Sequence, residues 1–234
     1  MHRIILFLAL LLLSQLAHSQ VLITLLLGDK LNSDKIEFGL DGGLNWSSIS
    51  NLQSSDRLRA LNLGFYFDIK MKERLYLSTG VLVKSTVGND DLSTSDLNLL
   101  SPELVIEDGT YAQRLSYFHV PITAKYRFKN HFYVKGGAQL GLLNNARLAF
   151  EAEEDKTVIS KETDNIDMYK RIDAGLLAGF GYKLKKGTGM NIGVKYYYGF
   201  TNIYKSDALS GTNDGVYLKV DIPIGAGKAK EKSE

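Results

Sequence analysis

From Ile36 onward the chain alternates apolar and polar positions with a period of two, the repeat of a β-strand with one face buried and the other solvated. The clearest stretch is Tyr117 to Leu143, where Phe118, Val120, Ile122, Ala124, Tyr126 and Phe128 oppose Tyr117, His119, Thr123, Lys125 and Arg127. Lys129 to His131 then turn the chain, and Phe132, Val134, Ala138, Leu140 and Leu142 resume the apolar face. This is a β-hairpin. The same pattern predicts strands over Ile36 to Trp46, Leu61 to Lys70, Leu75 to Lys84, Arg171 to Lys183, Met190 to Phe200 and Val216 to Ile224, for a total of eight. No amphipathic helix stands out between them.

The connections alternate in length. Long polar segments near Ser47 to Arg57, Ser85 to Ala112, Asn144 to Asp167 and Ile203 to Asp214 alternate with turns of a few residues, so the long loops gather at one end. Eight antiparallel up-and-down strands with both termini at the short-turn end is the plan of a small transmembrane β-barrel. Strands of about ten residues, tilted by about 45°, span roughly the apolar band of such a membrane. A soluble lipocalin-like barrel has the same strand count but points its apolar face inward. Glycine separates the two plans. Gly39, Gly64, Gly141, Gly175 and Gly181 are among many glycines on the polar face, against Gly42 and Gly136 on the apolar one. Glycine contributes nothing to a face in water, but inside a narrow barrel it leaves room for long Tyr, Lys and Arg side chains. The polar face is therefore expected inside, and the expected fold is all-β, an eight-stranded transmembrane barrel with a polar, side-chain-filled interior. Aromatics at the strand ends fit two interfacial girdles: Phe67, Tyr126, Phe128, Phe132 and Tyr182 near the short turns, and Trp46, Phe118 and Phe200 near the long loops.

Composition narrows the reading. With 234 residues, 22 Gly, 13 Tyr and only 3 Pro, the chain suits a single β-rich domain. A net charge of +2 and the absence of a basic, aromatic-interleaved patch argue against nucleic acid as a partner. The lack of cysteine excludes disulfides, thiolate metal sites and cysteine nucleophiles. Met1, His2 and Arg3, an apolar run to Leu13 and the small-x-small Ala17-His18-Ser19 read as a secretory signal peptide over 1–19. The expected layout continues with a periplasmic lead-in at 20–34, the barrel at 35–224 and a charged periplasmic tail at 225–234.

The segments GLDGGLNWSSI (39–49), SYFHVPITAKYRF (116–128), VKGGAQLGLL (134–143), DAGLLAGFGYKL (173–184) and NIGVKYYYGFTNI (191–203) resemble the PorT-like outer-membrane β-barrel family of Gram-negative bacteria. The resemblance covers roughly residues 35 to 224. It implies an integral barrel resident in the outer membrane, in a family whose members are often of unknown role and whose namesake is a component of a protein-secretion system. It supplies no catalytic residue. Asn213, Gly215, Leu218 and Val220 resemble a barrel-assembly signal, so the barrel-assembly machinery is an expected partner during biogenesis. The tail from Gly225 departs from barrels that end on an aromatic residue.

Within the barrel, Glu37, Asp41, Asp68, Lys70, Lys84, Lys125, Arg127, Lys135, Arg171, Asp173, Lys195, Lys219 and Asp221 would share a volume that eight strands leave just wide enough for side chains. Buried charges are costly unless paired, so this set reads as a paired plug rather than an open pore. A small porin-like transporter is the alternative. A lipid-modifying enzyme is a further one, but His119 has no sequence-local Ser or Glu to form a triad and His131 sits in a turn. The chain is thus expected to be non-enzymatic and free of cofactors and metals. The acidic runs Glu151 to Asp155 and Asn89 to Asp91 lack the spacing of a calcium loop. Specific function is placed on the loops or on lateral contacts, in a structural, adhesive or secretion-associated role. The expected partners are outer-membrane lipid and lipopolysaccharide, together with an extracellular or secretion-system protein.

Overall fold

The computed structural model describes residues 31–54, 56–101, 106–154, 157–184 and 189–224. The expected signal peptide at 1–19, most of the expected lead-in at 20–34 and the expected tail at 225–234 lie outside the described residues. In chain order the elements are β1 (Ile36–Ile49), β2 (Leu58–Lys70), β3 (Leu75–Asn89), α1 (Thr94–Leu100), β4 (Thr110–Arg127), β5 (Phe132–Glu154), β6 (Thr157–Asp164), a 3₁₀ turn (Ile166–Met168), β7 (Ile172–Lys183), β8 (Asn191–Gly199) and β9 (Asn213–Pro223). All pairings between these strands are antiparallel and join neighbours in sequence, except that β7 skips β6 to pair with β5, and β9 returns to pair with β1, so eight strands close a ring. The ninth described strand, β6, lies outside that ring and, among the described residues, pairs only with the distal half of β5.

The polar face is the inside. Asp41, Asn45, Asn62, Asp68, Lys125, Gln139, Asp173, Lys195 and Lys219 are buried, while Leu40, Leu44, Leu61, Val120, Ile122, Leu140, Leu176 and Leu218 are exposed on the outer wall. Water would not tolerate so continuous an apolar belt, whereas hydrocarbon selects it. Interior glycines sit beneath tyrosine rings from neighbouring strands. A Cβ on Gly39 would lie 2.4 Å from the Tyr66 ring, and one on Gly181 or Gly193 would lie 2.4 Å from the Tyr133 hydroxyl. At the lower rim, the Asn32 side-chain amide donates to the Ile224 carbonyl at 2.5 Å and its Oδ1 accepts from the Phe38 N–H at 2.8 Å, clipping the lead-in across the β1–β9 seam.

Two expectations need correction. The segments 85–112 and 144–167 are not simply loops: β3 runs on to Asn89, β4 starts at Thr110, and β5 continues to Glu154 before returning as β6. The reason is a pair of β-bulges. One on β3 shifts the register between Leu82 and Ser85, and one on β5 shifts it opposite Ser116 and Tyr117. Each extra residue resets the inward parity, so the alternation continues out of phase. There is also a helix, α1, too short to show a helical period. It carries a capping box, in which Ser93 Oγ accepts from the Asp96 N–H at 3.1 Å and Asp96 Oδ2 accepts from the Ser93 N–H at 3.2 Å.

Candidate functional site

The interior is graded from charged at the short-turn end to apolar at the long-loop end. Lowest, Lys125 Nζ donates to Asp68 Oδ2 at 2.6 Å with both side chains fully buried, and the Arg127 guanidinium stands 3.7 Å from the same carboxylate. Lys125 also lies 4.4 Å from the centroid of the Tyr133 ring, and Arg127 lies 4.6 Å from that of Tyr76. Beside them Lys183 pairs with Glu37 at 2.5 Å, and the Tyr66 hydroxyl donates to the same Glu37 carboxylate at 3.1 Å. In the next layer Lys219 pairs with Asp41, and Lys195 sits over the Tyr217 ring. Asp41, Lys135, Lys195 and Asp221 line a cavity of about 10 Å³, the space of about one water. Six basic side chains share this stack with four acidic ones, and among the described residues the cavity they line has space for about one water.

Higher up, neutral groups take over. Asp173 has no cationic partner among the described residues, yet it accepts from Thr201 Oγ1 at 2.8 Å, Tyr197 Oη at 3.0 Å and Asn213 Nδ2 at 3.0 Å. His119 is fully buried, stacks on Tyr117 with ring centroids 5.1 Å apart, and places Nδ1 3.0 Å from Ser85 Oγ. A serine–histidine pair thus exists that sequence distance hid. It is not arranged as a nucleophile and its base. Ser85 donates its proton to Asn62 Oδ1 at 2.6 Å, His119 Nε2 has no hydrogen-bond partner among the described residues to orient the ring, and both residues are buried.

The long-loop end is closed by a second, apolar core. Ile49, Val87, Leu92, Leu97, Leu100, Tyr111, Leu115, Leu143, Leu148, Phe150, Tyr169, Ile203 and Tyr204 pack together above the polar interior. The Asp96 carboxylate binds the first loop to α1 by accepting from the Gln53 and Ser54 N–H groups at 2.8 and 2.9 Å. Gln113 and Asn165 exchange side-chain amide hydrogen bonds of 3.1 and 2.8 Å, which join β4 to the segment after β6. In this core the phenols are neutral: burial, with the Asp96 charge adding to it, pushes Tyr204 up to about 12, and burial likewise raises Tyr169. The top of the cap carries a depression of about 300 Å³ lined by Asn51, Leu52, Leu99, Tyr204, Ala208, Leu209 and Ser210. Nothing in the strand alternation pointed to this cap. The apolar residues of 92–100 and 143–150 were its visible signal, hidden by the polar residues among them.

Of the residues expected inside the barrel, Glu37, Asp41, Asp68, Lys125, Arg127, Lys135, Asp173, Lys195, Lys219 and Asp221 point inward. Three others do not. The β3 bulge turns Lys84 onto the outer wall opposite Leu63. Arg171 precedes β7, where the chain bends, and its exposed guanidinium donates to the Leu143 carbonyl at 3.3 Å. Lys70, at the end of β2, is exposed at the rim. Lys183, left out of the expected set, is buried within it. The eight girdle aromatics lie on the outer face: Phe118, Tyr126, Phe128, Tyr182 and Phe200 are exposed, and Trp46, Phe67 and Phe132 are half-buried. Tyr126, Phe128, Phe132 and Phe180 form a contiguous lower chain with ring centroids 5.0, 5.9 and 6.1 Å apart. Among the described residues, no group of three or more His, Cys, Asp and Glu side chains is placed to hold a metal ion.

Residues 24–205 match the family model described as outer membrane protein beta-barrel domain. Among solved structures, Ail, the attachment invasion locus protein of Yersinia pestis, is 11% identical with a TM-score of 0.44, over 81% of this chain and 99% of that one. Neisserial surface protein A is 10% identical with a TM-score of 0.40, over 80% and 96% of the two chains. CarO of Acinetobacter baumannii is 14% identical with a TM-score of 0.37, over 79% and 97%. No curated protein matches the chain.

Proposed function

The chain belongs to the outer membrane protein β-barrel domain family, and from that premise we propose that it is a non-enzymatic surface protein that binds an extracellular partner through its cap. The observation that carries this reading is the apolar core of the long-loop end, which holds α1, the β5–β6 hairpin and the 203–211 segment in one arrangement over a filled barrel. Free loops need no such core. A rigid scaffold that presents a fixed surface outside the membrane suits recognition. The depression between Leu52, Leu99 and Leu209 is the surface offered. The filled interior argues against the porin-like alternative, and the enclosure of His119 and Ser85 argues against lipid modification. The PorT-like resemblance supports a secretion-associated form of the same reading, in which the partner belongs to a secretion assembly.

The test compares cells displaying the wild type with cells displaying Leu99→Arg or Ser210→Arg, scoring attachment to matrix proteins and co-purification of envelope proteins. Loss of binding in variants whose barrel still shifts mobility on boiling is the expected result. Undiminished binding, or stepwise conductance of the purified protein in planar bilayers, would contradict the proposal. Lipid A mass spectra are expected to be the same in cells carrying the wild type and His119→Ala.

A further inference from the structure

The two bulges flank β4 at one height. The β3 bulge brings Val83 and Lys84 together onto the outer wall, and the β5 bulge does the same at Asn144. Between them the wall opens into a crevice of about 220 Å³ lined by Val83, Lys84, Thr86, Ser116, Phe118 and Asn144, together with the buried Ser85 and Tyr117. No acidic side chain lines it, and Lys84 makes no ion pair among the described residues. The Thr86 and Ser116 hydroxyls lie 3.3 Å apart at its upper side. An ammonium group, a carboxamide and a hydroxyl pair that keeps one proton free, with no carboxylate among them, form a donor set for an oxyanion.

The height of the crevice selects the anion. Phe118 belongs to the girdle on the long-loop side, which in this architecture faces outside the cell. Lys84 stands level with Phe118 and therefore where the hydrocarbon of the outer leaflet gives way to head groups, with Val83 one residue below it. We propose that this crevice seats a phosphate of an outer-leaflet lipopolysaccharide, with Lys84 as its counter-charge and with Asn144 and the one free proton of the Thr86–Ser116 hydroxyl pair as hydrogen-bond donors. The site rests on residence in the outer membrane, not on the cap's binding role, so either can fail alone.

The experiment uses full-length protein refolded in nanodiscs, with retained lipid read by native mass spectrometry after titration with bisphosphorylated lipid A. Controls are fully dephosphorylated lipid A, phosphatidylglycerol and inorganic phosphate. Variants are Lys84→Gln, Asn144→Ala and, as a charge control, Arg59→Gln, an exposed residue further up β2 that makes no ion pair among the described residues. Heat modifiability confirms that each variant is folded; should Lys84→Gln fail to fold, Lys84→Arg and Asn144→Ala carry the comparison. The expected result is a roughly tenfold weaker retention for Lys84→Gln, a smaller loss for the uncharged change Asn144→Ala, wild-type retention for Arg59→Gln, and poor retention of dephosphorylated lipid A. Equal losses for Lys84→Gln and Arg59→Gln with none for Asn144→Ala would reduce the effect to net charge and overturn the site. Equal retention of dephosphorylated lipid A, or of phosphatidylglycerol, would overturn it as well.

Discussion

Within the barrel, individual residues matter through their partners. Asp68 and Lys125 are both fully buried and 2.6 Å apart, so removing either takes the nearest counter-charge from the other, with Arg127 at 3.7 Å the remaining cation beside Asp68. Lys125→Ala is expected to destabilise the barrel by about 3–5 kcal/mol in urea unfolding from lipid vesicles, and the double variant with Asp68→Ala to recover much of that loss. Additive losses would mean that the pair does not act as a unit. In the cap, Tyr204 has its phenol raised from 10.0 to about 12 by burial. A raised folded-state value means full stabilisation below about pH 10 and progressive loss as the pH rises from there through about 12. Cap proteolysis should therefore accelerate across that window, and Tyr204→Phe should blunt the response. Most inward residues were legible because parity fixes the face. Lys84 and Arg171 were not, since a bulge and a strand end reset that parity, and neither leaves a local sequence signature.

Among the elements, the eight ring strands could be read from period-two alternation, because one face meets lipid and the other a polar interior. The cap could not. Residues such as Leu97, Leu115 and Leu148 belong to three separate elements, and only the closed ring brings them into contact. Leu97→Ala is expected to destabilise the cap by about 2–5 kcal/mol, seen as faster cleavage of the α1 segment by added protease with the barrel's mobility shift unchanged. Asp96→Ala should act in the same direction, by about 1–2 kcal/mol, since it removes the side-chain half of the capping box and the anchors of Gln53 and Ser54 together. If both changes unfold the barrel, the cap is part of one cooperative unit rather than a lid built upon it.

For the whole molecule, the outer wall determines the environment. Leu140, exposed midway along β5, is expected to tolerate alanine, but Leu140→Arg should cost about 2–4 kcal/mol in a bilayer. The most direct test of the account uses the absence of native cysteine. Single cysteines placed at Lys205, exposed in the cap, and at Lys72, exposed in the β2–β3 turn, are offered a membrane-impermeant maleimide on intact cells. A barrel spanning the outer membrane with its cap outside predicts labelling at 205 and none at 72 until the outer membrane is breached. Labelling at 72 with protection at 205, or recovery of both variants as soluble protein, would contradict it.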